Sequence, residues 1–461
     1  MTLISSISGT RGTIGGDPGN NLTPVDAVNF AGAFAQFIKE SSNKSNPTVV
    51  IGRDARPSGG WLSNIVSATL QASGVNVIDL GLSTTPTVEV AVPGSSADGG
   101  IILTASHNPV NWNALKLLNA KGEFINAEQG SRLLSAIKNK KFDFVPVEET
   151  GSYKVDNSWI EKHIDMVLEY PLVDVEAISK ANLRVAVDPV NSTGGLAIPP
   201  LLEKLGVNHV EMLNGDVSGN FAHNPEPLKA HLTDISARVV DKNCDLGIVV
   251  DPDVDRLALI SENGEMFGEE YTLVAIADYY MKNRPGSTVS NLSSSRALRD
   301  VTERAGQVYT ASAVGEVNVV VKMKETNAVI GGEGNGGIVV PDFHFGRDSL
   351  IGIALFLSHF AREGKTMSQL RSGYPAYEMA KNKLELTPGM DPDVVIQKLK
   401  TKYTDQETNE GDGLKIEFDD GWVHLRKSNT EPIIRIYTES KTADAAEQLA
   451  NRFESELREL I

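Results

Sequence analysis

The chain has 461 residues, of which 41% are hydrophobic and 22% charged, and a formal net charge of -17. At roughly 150 residues per domain this length points to three or four domains, and the composition is too apolar for a disordered chain. The acidic balance excludes nucleic acid and anionic membrane as partners, since both need a basic footprint, and it makes clustered arginines and lysines informative.

The single cysteine, Cys244, leaves no intrachain disulfide and fits a reducing compartment. The opening "MTLISSISGTRGTIGG" has no cationic start followed by an apolar run. The longest apolar stretch, around residues 350–357, is far too short to span a bilayer. A cytoplasmic chain is the expectation.

In chain order, "SGTRG" (8–12) sets Arg11 among glycines, where backbone and guanidinium can both approach an anion. "TVVIGRDAR" (48–56) reads as a buried strand ending in charge, and residues 61–74 as a helix closed by Gly74. "VNVIDLG" and "GGIILTASHNP" are further strands. The plan recurs at "LRVAVDPVNSTGG" (183–195), a helix near 196–205 and "VNHVEML", then at "DLGIVVDPDVDRLALI" (245–260) and "AVIGGEGNGG" (328–337). Such alternation predicts α/β domains with mixed or parallel sheets covered by helices on both faces, and ligands in the loops after strand ends.

The last part changes character. "LKIEFDDGWVHLR" (414–426) reads as a hairpin with Asp420–Gly421 at its turn, "PIIRIYTES" as a strand and the last segment as an amphipathic helix. The predicted division is 1–152, 153–255, 256–375 and a C-terminal α+β domain at 376–461.

Four loops carry chemistry. "DPDVDR" places Asp251, Asp253 and Asp255 at alternate positions, on one face if the strand persists. Three crowded carboxylates repel unless a cation joins them, and an all-oxygen set suits Mg²⁺. An EF-hand is excluded, because Arg256 stands at the sixth position, where glycine is needed. "GGEGNGG" (331–337) contains a formal G-x-G-x-x-G, but the β-branched "IVVPDF" follows it where a dinucleotide site needs a helix. Glu333, the one charge in that loop, suits adjacent sugar hydroxyls. "RKSNTEPIIR" gathers Arg426, Lys427, Ser428, Asn429, Thr430 and Arg435 into a phosphate cradle.

The fourth loop is "TASHNP". Ser106 lacks the G-x-S-x-G elbow of a serine hydrolase. A serine that carries phosphate fits better. It needs a metal, surrounding cations and a base, for which the Asp triplet, Arg11 and Arg256, and His107 or Lys116 are candidates.

"TASHNP", "DPDVDR", "GEGNGG" and "RKSNTEP" together resemble the α-D-phosphohexomutase family, in its order and across essentially the whole chain. The resemblance implies three similar α/β domains and a C-terminal α+β domain around a central cleft. It implies interconversion of hexose 6-phosphates and 1-phosphates through a phosphoserine, a bisphosphate intermediate and Mg²⁺. By the same resemblance Ser106 carries the phosphoryl group and joins Asp251, Asp253 and Asp255 at the metal. Arg11 and Arg256 sit by the transferring group, and Lys116 is the base with His107 supporting. Glu333, with Asn335, reads the sugar, and Arg426, Ser428, Asn429, Thr430 and Arg435 hold the other phosphate. The chain departs from the family where Asn335 replaces a serine, Gly337 a common histidine, and Pro252 and Val254 common glycines. The resemblance points first to glucosamine 6-phosphate and glucosamine 1-phosphate, with glucose or mannose phosphates as the alternative. An Mg²⁺-dependent phosphatase and a non-catalytic sugar-phosphate sensor are the remoter readings. A monomer or homodimer is expected.

Overall fold

Alternation inside single strands explains the first sheet. Val49 and Ile51 face one hydrophobic core while Val50, between them, faces another, as do Ile101 and Leu103 against Ile102. A sheet with two apolar faces needs helices on both. The helices Pro24–Ser42 and Gly59–Ala72 supply Phe30, Phe34, Leu62 and Val66 to the first core. The helix Thr85–Gly94 supplies Val88 and Val92 to the second.

The computed structural model describes residues 2–6, 9–139, 142–386, 390–428 and 433–460. The chain divides into two compact units. One holds the residues up to Thr272 and Asn335–Leu370; the other holds Leu273–Gly334 and the residues from Arg371 on.

In the first unit, the described residues form β1 (Ile4–Ser6), β2 (Gly9–Thr13), β3 (Thr48–Arg53), β4 (Asn76–Leu82), β5 (Gly99–Leu103), β6 (Trp112–Leu118) and β7 (Tyr153–Val155). They make one mixed sheet in the order β1-β2-β6-β5-β3-β4-β7. β3 runs parallel to β4 and β5, whereas β6 is antiparallel to β2 and β5. That reversal carries the chain from β5 through the Ser106 loop and back along β6, which bears Lys116. A second sheet has β8 (Arg184–Asp188), β9 (His209–Met212), β10 (Leu246–Val250) and β11 (Leu257–Ser261) in the order β11-β10-β8-β9. β10 and β11 pair antiparallel, and the aspartate loop joins them.

In the second unit, β12 (Thr288–Asn291) runs parallel to both β13 (Tyr309–Ser312) and β14 (Ile330–Glu333). The chain then returns to the first unit with β15 (Gly337–Val339) and the helix Ser349–Glu363. β15 is the strand expected after the glycine loop, in place of a dinucleotide-binding helix.

The rest of the second unit is a sheet of β16 (Glu378–Glu385), β17 (Thr408–Asn409), β18 (Leu414–Phe418), β19 (Gly421–Lys427) and β20 (Ile433–Ser440). Its order is β16-β20-β19-β18-β17, and the helices Pro392–Lys400 and Ala443–Arg458 share its core. One turn differs from the sequence expectation. Phe418 pairs with Gly421, so the hairpin turns at Asp419–Asp420 and Gly421 belongs to β19. A Cβ at Gly421 would stand 2.0 Å from the Glu439 carbonyl oxygen, so the glycine serves close strand approach, not turn geometry. Among the described residues no helix is long and apolar enough to cross a membrane.

Candidate active site

Ser106 lies just beyond the end of β5, buried, with φ of +48°. That left-handed conformation is costly for a serine and must be held by its surroundings. Arg56 does the holding. Its guanidinium donates to the carbonyls of Ser106 and Asn108 at 2.6 Å each, and to Pro109 at 2.6 Å. Its Nε donates to Asp54 at 2.9 Å, and both side chains are fully buried. Asp54 also accepts from Thr104 at 2.7 Å, and the Thr104 hydroxyl in turn accepts from the Ser106 N–H at 3.0 Å. Burial raises the Asp54 carboxyl, and Arg56 partly offsets this. The loop is therefore a preorganised platform that points one hydroxyl.

That hydroxyl donates to Asp251 Oδ2 at 2.7 Å and lies 3.2 Å from His107 Nδ1. Asp251, Asp253 and Asp255 are completely buried, and one carboxylate oxygen from each lies within 4.8 Å of the others. Strand periodicity does not gather them, contrary to the sequence expectation. β10 ends at Val250, and the chain turns through Val254 at φ +64°, with the Val254 N–H on the Asp251 carbonyl at 3.1 Å. Asp251 Oδ1 then accepts from the N–H groups of Asp255 and Arg256 at 3.1 Å each, closing the loop.

The triad has its own cations. Lys116 Nζ donates to Asp253 at 2.7 Å and lies 3.6 Å from Asp255, while Arg347 donates to Asp255 at 2.6 Å. Thr85 donates to Asp253 at 2.6 Å. Burial pushes the Asp251 carboxyl well above its ordinary range, and its neighbours Asp255 and Asp253 push it further. Burial opposes ionisation of Asp253 too, but Lys116 and Thr85 hold that carboxyl below its usual range. Burial works against the Lys116 charge, yet Asp253 and Asp255 raise its pKa, so Lys116 is a firm cation here. His107 is the reverse: burial first, then Arg256, hold it down at about 2, so the ring is neutral.

The carboxylates fit a hard divalent cation. Among the described residues, Asp253 Oδ1 and Asp255 Oδ1 are buried without a hydrogen-bond partner. An unpaired buried carboxylate oxygen is costly, and an all-oxygen set is what such a cation takes. Arg256 stands beside the triad and donates to Glu226 at 3.3 Å. Arg11 lies on β2, where it pairs with Ala114 of β6, and its charge reaches His107. The first unit thus brings Ser106, His107, Lys116, Arg11, Arg256 and the three aspartates together.

Asn335 is also in this unit. Its Oδ1 accepts from the Gly337 N–H at 3.2 Å, so here it shapes the glycine loop. Gly336, at φ +83°, accepts at its carbonyl from Leu257 N–H at 3.0 Å. A Cβ there would stand 2.2 Å from the Leu257 carbonyl oxygen, so the glycine loop is built to lie against β11.

The other candidates lie in the second unit. Glu333, at the end of β14, is buried and accepts from Asn291 at 2.9 Å and from the Gly315 N–H at 3.1 Å. Arg426 on β19 stands directly opposite Arg435 on β20, which stands opposite Lys383 on β16. Directly paired residues share a face, so three cations form a row across three strands. Such a row repels itself where no anion meets it; Glu385 lies 4.0 Å from Lys383 at its outer end. Ser428 follows β19, and its N–H donates to the Ile433 carbonyl at 3.1 Å. Asn429 and Thr430 lie outside the described residues.

Sequence reasoning missed Arg56, Arg347, Glu226 and Lys383. Arg56 was in view as the charge after a buried strand, and full burial of an arginine was the missing fact. Lys383 is visible only through strand register.

Four family models match in order, described as phosphoglucomutase/phosphomannomutase alpha/beta/alpha domain I over residues 4–144, domain II over 161–264, domain III over 268–377 and the C-terminal domain over 384–456. A phosphoglucomutase/phosphomannomutase of Thermococcus kodakarensis is 34% identical, covering 96% of this chain and 97% of the relative. A probable phosphoglucosamine mutase of Methanopyrus kandleri is 30% identical over 98% of this chain and 97% of the relative. A crystal structure of a phosphoglucomutase/phosphomannomutase family protein from Burkholderia thailandensis matches with a TM-score of 0.84 at 26% identity, covering 99% of this chain and 98% of that one. With all four domains matched in sequence order and relatives aligned along nearly its whole length, the chain belongs to the phosphoglucomutase/phosphomannomutase family, four α/β-class domains in all, and it is an isomerase of the phosphohexomutase type.

Proposed function

We propose that Ser106 is the phosphoryl carrier of this mutase and that glucosamine 6-phosphate and glucosamine 1-phosphate are its substrates. The observation that carries the first part is the Ser106 hydroxyl, fixed in a left-handed turn 2.7 Å from Asp251. In the first half-reaction the bond between Ser106 Oγ and phosphorus breaks as a sugar hydroxyl oxygen attacks and gives its proton to a base. In the second, the resulting bisphosphate returns its other phosphoryl group: Ser106 Oγ attacks the phosphorus at the other position, that sugar O–P bond breaks, and the sugar oxygen takes a proton back. One Mg²⁺ among Asp251, Asp253 and Asp255 would supply Lewis-acid stabilisation of the charge that develops on the transferring group.

Arg11 and Arg256 are proposed to balance phosphoryl charge. Lys116 is the proposed base and His107 its support. Because Lys116 now holds Asp253 and Asp255 as a cation, acting as base requires those contacts to be released. Glu333 with Asn335 is proposed to read the sugar, and Arg426, Ser428, Asn429, Thr430 and Arg435 to hold the phosphate that is not reacting. The four-part division expected at 152, 255 and 375 is part of the same reading, with the second boundary moved from 255 to beyond β11, because β11 pairs with β10.

The choice of glucosamine is supported by the names of relatives, such as the phosphoglucosamine/phosphogalactosamine mutase of Sulfurisphaera tokodaii, 30% identical over 100% of this chain. The Thermococcus kodakarensis relative favours glucose or mannose phosphates instead. A panel of glucosamine, glucose and mannose 6-phosphates, ranked by kcat/KM, separates them. Glucosamine 6-phosphate is expected to rank first. A higher kcat/KM for either neutral sugar overturns that choice, and free phosphate release without isomerisation overturns the mutase route.

A further inference from the structure

The first unit contains a second set of metal-type side chains that the Ser106 chemistry does not use. His163 lies on the helix Trp159–Glu169, His344 in the segment after β15, and Asp348 at the N-cap of the helix Ser349–Glu363. One ligand atom from each lies within 4.8 Å of the others. His163 Nε2 is 3.0 Å from Asp348 Oδ2, and His344 Nε2 is 3.1 Å from that same oxygen. His163 and Asp348 are buried, and His344 is nearly so.

The outer nitrogen of His163 is hydrogen-bonded as a ligating histidine requires, and that of His344 faces a carboxylate beyond hydrogen-bond distance. His163 Nδ1 is 3.0 Å from the Thr87 hydroxyl, and that hydroxyl has Thr84 Oγ1 at 2.7 Å to receive its own proton. Thr87 is therefore free to accept from Nδ1–H. His344 Nδ1 faces the buried Glu89 carboxylate at 3.6 Å. With the ring protons on Nδ1, the tautomer a metal site requires, both Nε2 lone pairs would aim at one carboxylate oxygen; with them on Nε2, both rings instead donate to that oxygen. Lone pairs and an anion repel unless a cation stands among them.

Bonds of about 2.0–2.1 Å at tetrahedral angles set neighbouring ligand atoms ~3.3 Å apart. The observed 3.0 and 3.1 Å need to open by only a few tenths of an ångström. Two imidazoles and one carboxylate suit a borderline first-row divalent ion such as Zn²⁺, and not Mg²⁺. Asp348 Oδ1 remains on the N–H of Leu350 at 2.8 Å, which keeps Oδ2 turned inward. We propose that His163, His344 and Asp348 form a structural site for a transition-metal ion of the Zn²⁺ class, with Thr87 and Glu89 orienting its histidines. The ion would clip three separate segments together behind Arg347, the residue before Asp348 that bonds Asp255.

Co²⁺ titration of the metal-depleted full chain in excess Mg²⁺ tests this. Mg²⁺ keeps the all-oxygen triad filled, while nitrogen ligands retain Co²⁺. One equivalent of Co²⁺ is expected to bind, with the visible absorption of a low-coordinate nitrogen and oxygen site. His344→Gln is expected to abolish both, and Glu89→Gln to weaken binding roughly 10–100-fold. Asp253→Asn is expected to leave the band in place. If His344→Gln does not melt cooperatively, Glu89→Gln carries the comparison. No bound Co²⁺ beside Mg²⁺, or a band that disappears with Asp253→Asn and survives His344→Gln or Glu89→Gln, overturns the site and leaves a proton-bridged cluster.

Discussion

The residue that sets the geometry at Ser106 is Arg56. One buried guanidinium holds the loop carbonyls of Ser106, Asn108 and Pro109 and one buried carboxylate. Removing it strips the Ser106 turn of its clamp and leaves Asp54 as an unpaired buried charge. Breaking one side of a buried pair costs about 3–5 kcal/mol. Arg56→Ala is therefore expected to lose that much stability in urea unfolding and to lower kcat more than it raises KM. Wild-type unfolding and wild-type kcat would show that the loop holds itself. Ser106 and the aspartates were legible in the sequence because they sit in short polar punctuation between strands. Arg56 and Arg347 were not, since their roles depend on burial and on a partner distant in sequence.

At the scale of elements, the informative feature is the row formed by Lys383, Arg435 and Arg426 across β16, β20 and β19. The motif "RKSNTEP" made Arg426 and Arg435 readable as a cradle, but register adds Lys383 and puts all three on one face. Register also corrected the hairpin turn, and the left-handed turn at Val254 replaced strand periodicity as the reason the aspartates meet. Both are properties of backbone geometry that residue types only partly encode. If the row is the anchor for the phosphate at rest, Arg426→Ala raises KM for both the 6-phosphate and the 1-phosphate. A lost charge-assisted contact of about 1.5–3 kcal/mol corresponds to roughly 10–150-fold in affinity. Hexose 1,6-bisphosphate is then expected to leak into solution during turnover. A change in KM for one substrate alone, without leakage, would contradict a shared anchor.

For the whole molecule, acid stability has an identifiable contributor outside the Ser106 chemistry. His424 on β19 is buried between Ser293, at 2.8 Å from its Nδ1, and the Asp412 carbonyl, at 2.6 Å from its Nε2. Burial lowers its pKa from 6.5 to about 4. Its folded value is depressed, so between those two values the unfolded chain binds the extra proton. The contribution is complete above pH 6.5 and is lost as pH falls toward 4, by roughly 3 kcal/mol in all. His424→Gln is expected to flatten that limb of the stability profile. An unchanged slope in urea unfolding between those pH values would remove His424 as its source. The alternation of strands and helices made the α/β class and the separate C-terminal sheet readable from sequence. The pairing of β10 with β11 was less so, because the aspartate turn reverses the chain within one continuous apolar run.

The central claim is that Ser106 carries the phosphoryl group, and the direct measurement is intact mass with phosphopeptide mapping. The protein is incubated with a hexose 1,6-bisphosphate, desalted and analysed beside Ser106→Ala. The expected result is one added phosphoryl group, located on Ser106 and absent from the variant, which also loses mutase turnover while keeping its cooperative unfolding. Phosphate on another residue, or full turnover by Ser106→Ala, would contradict the account.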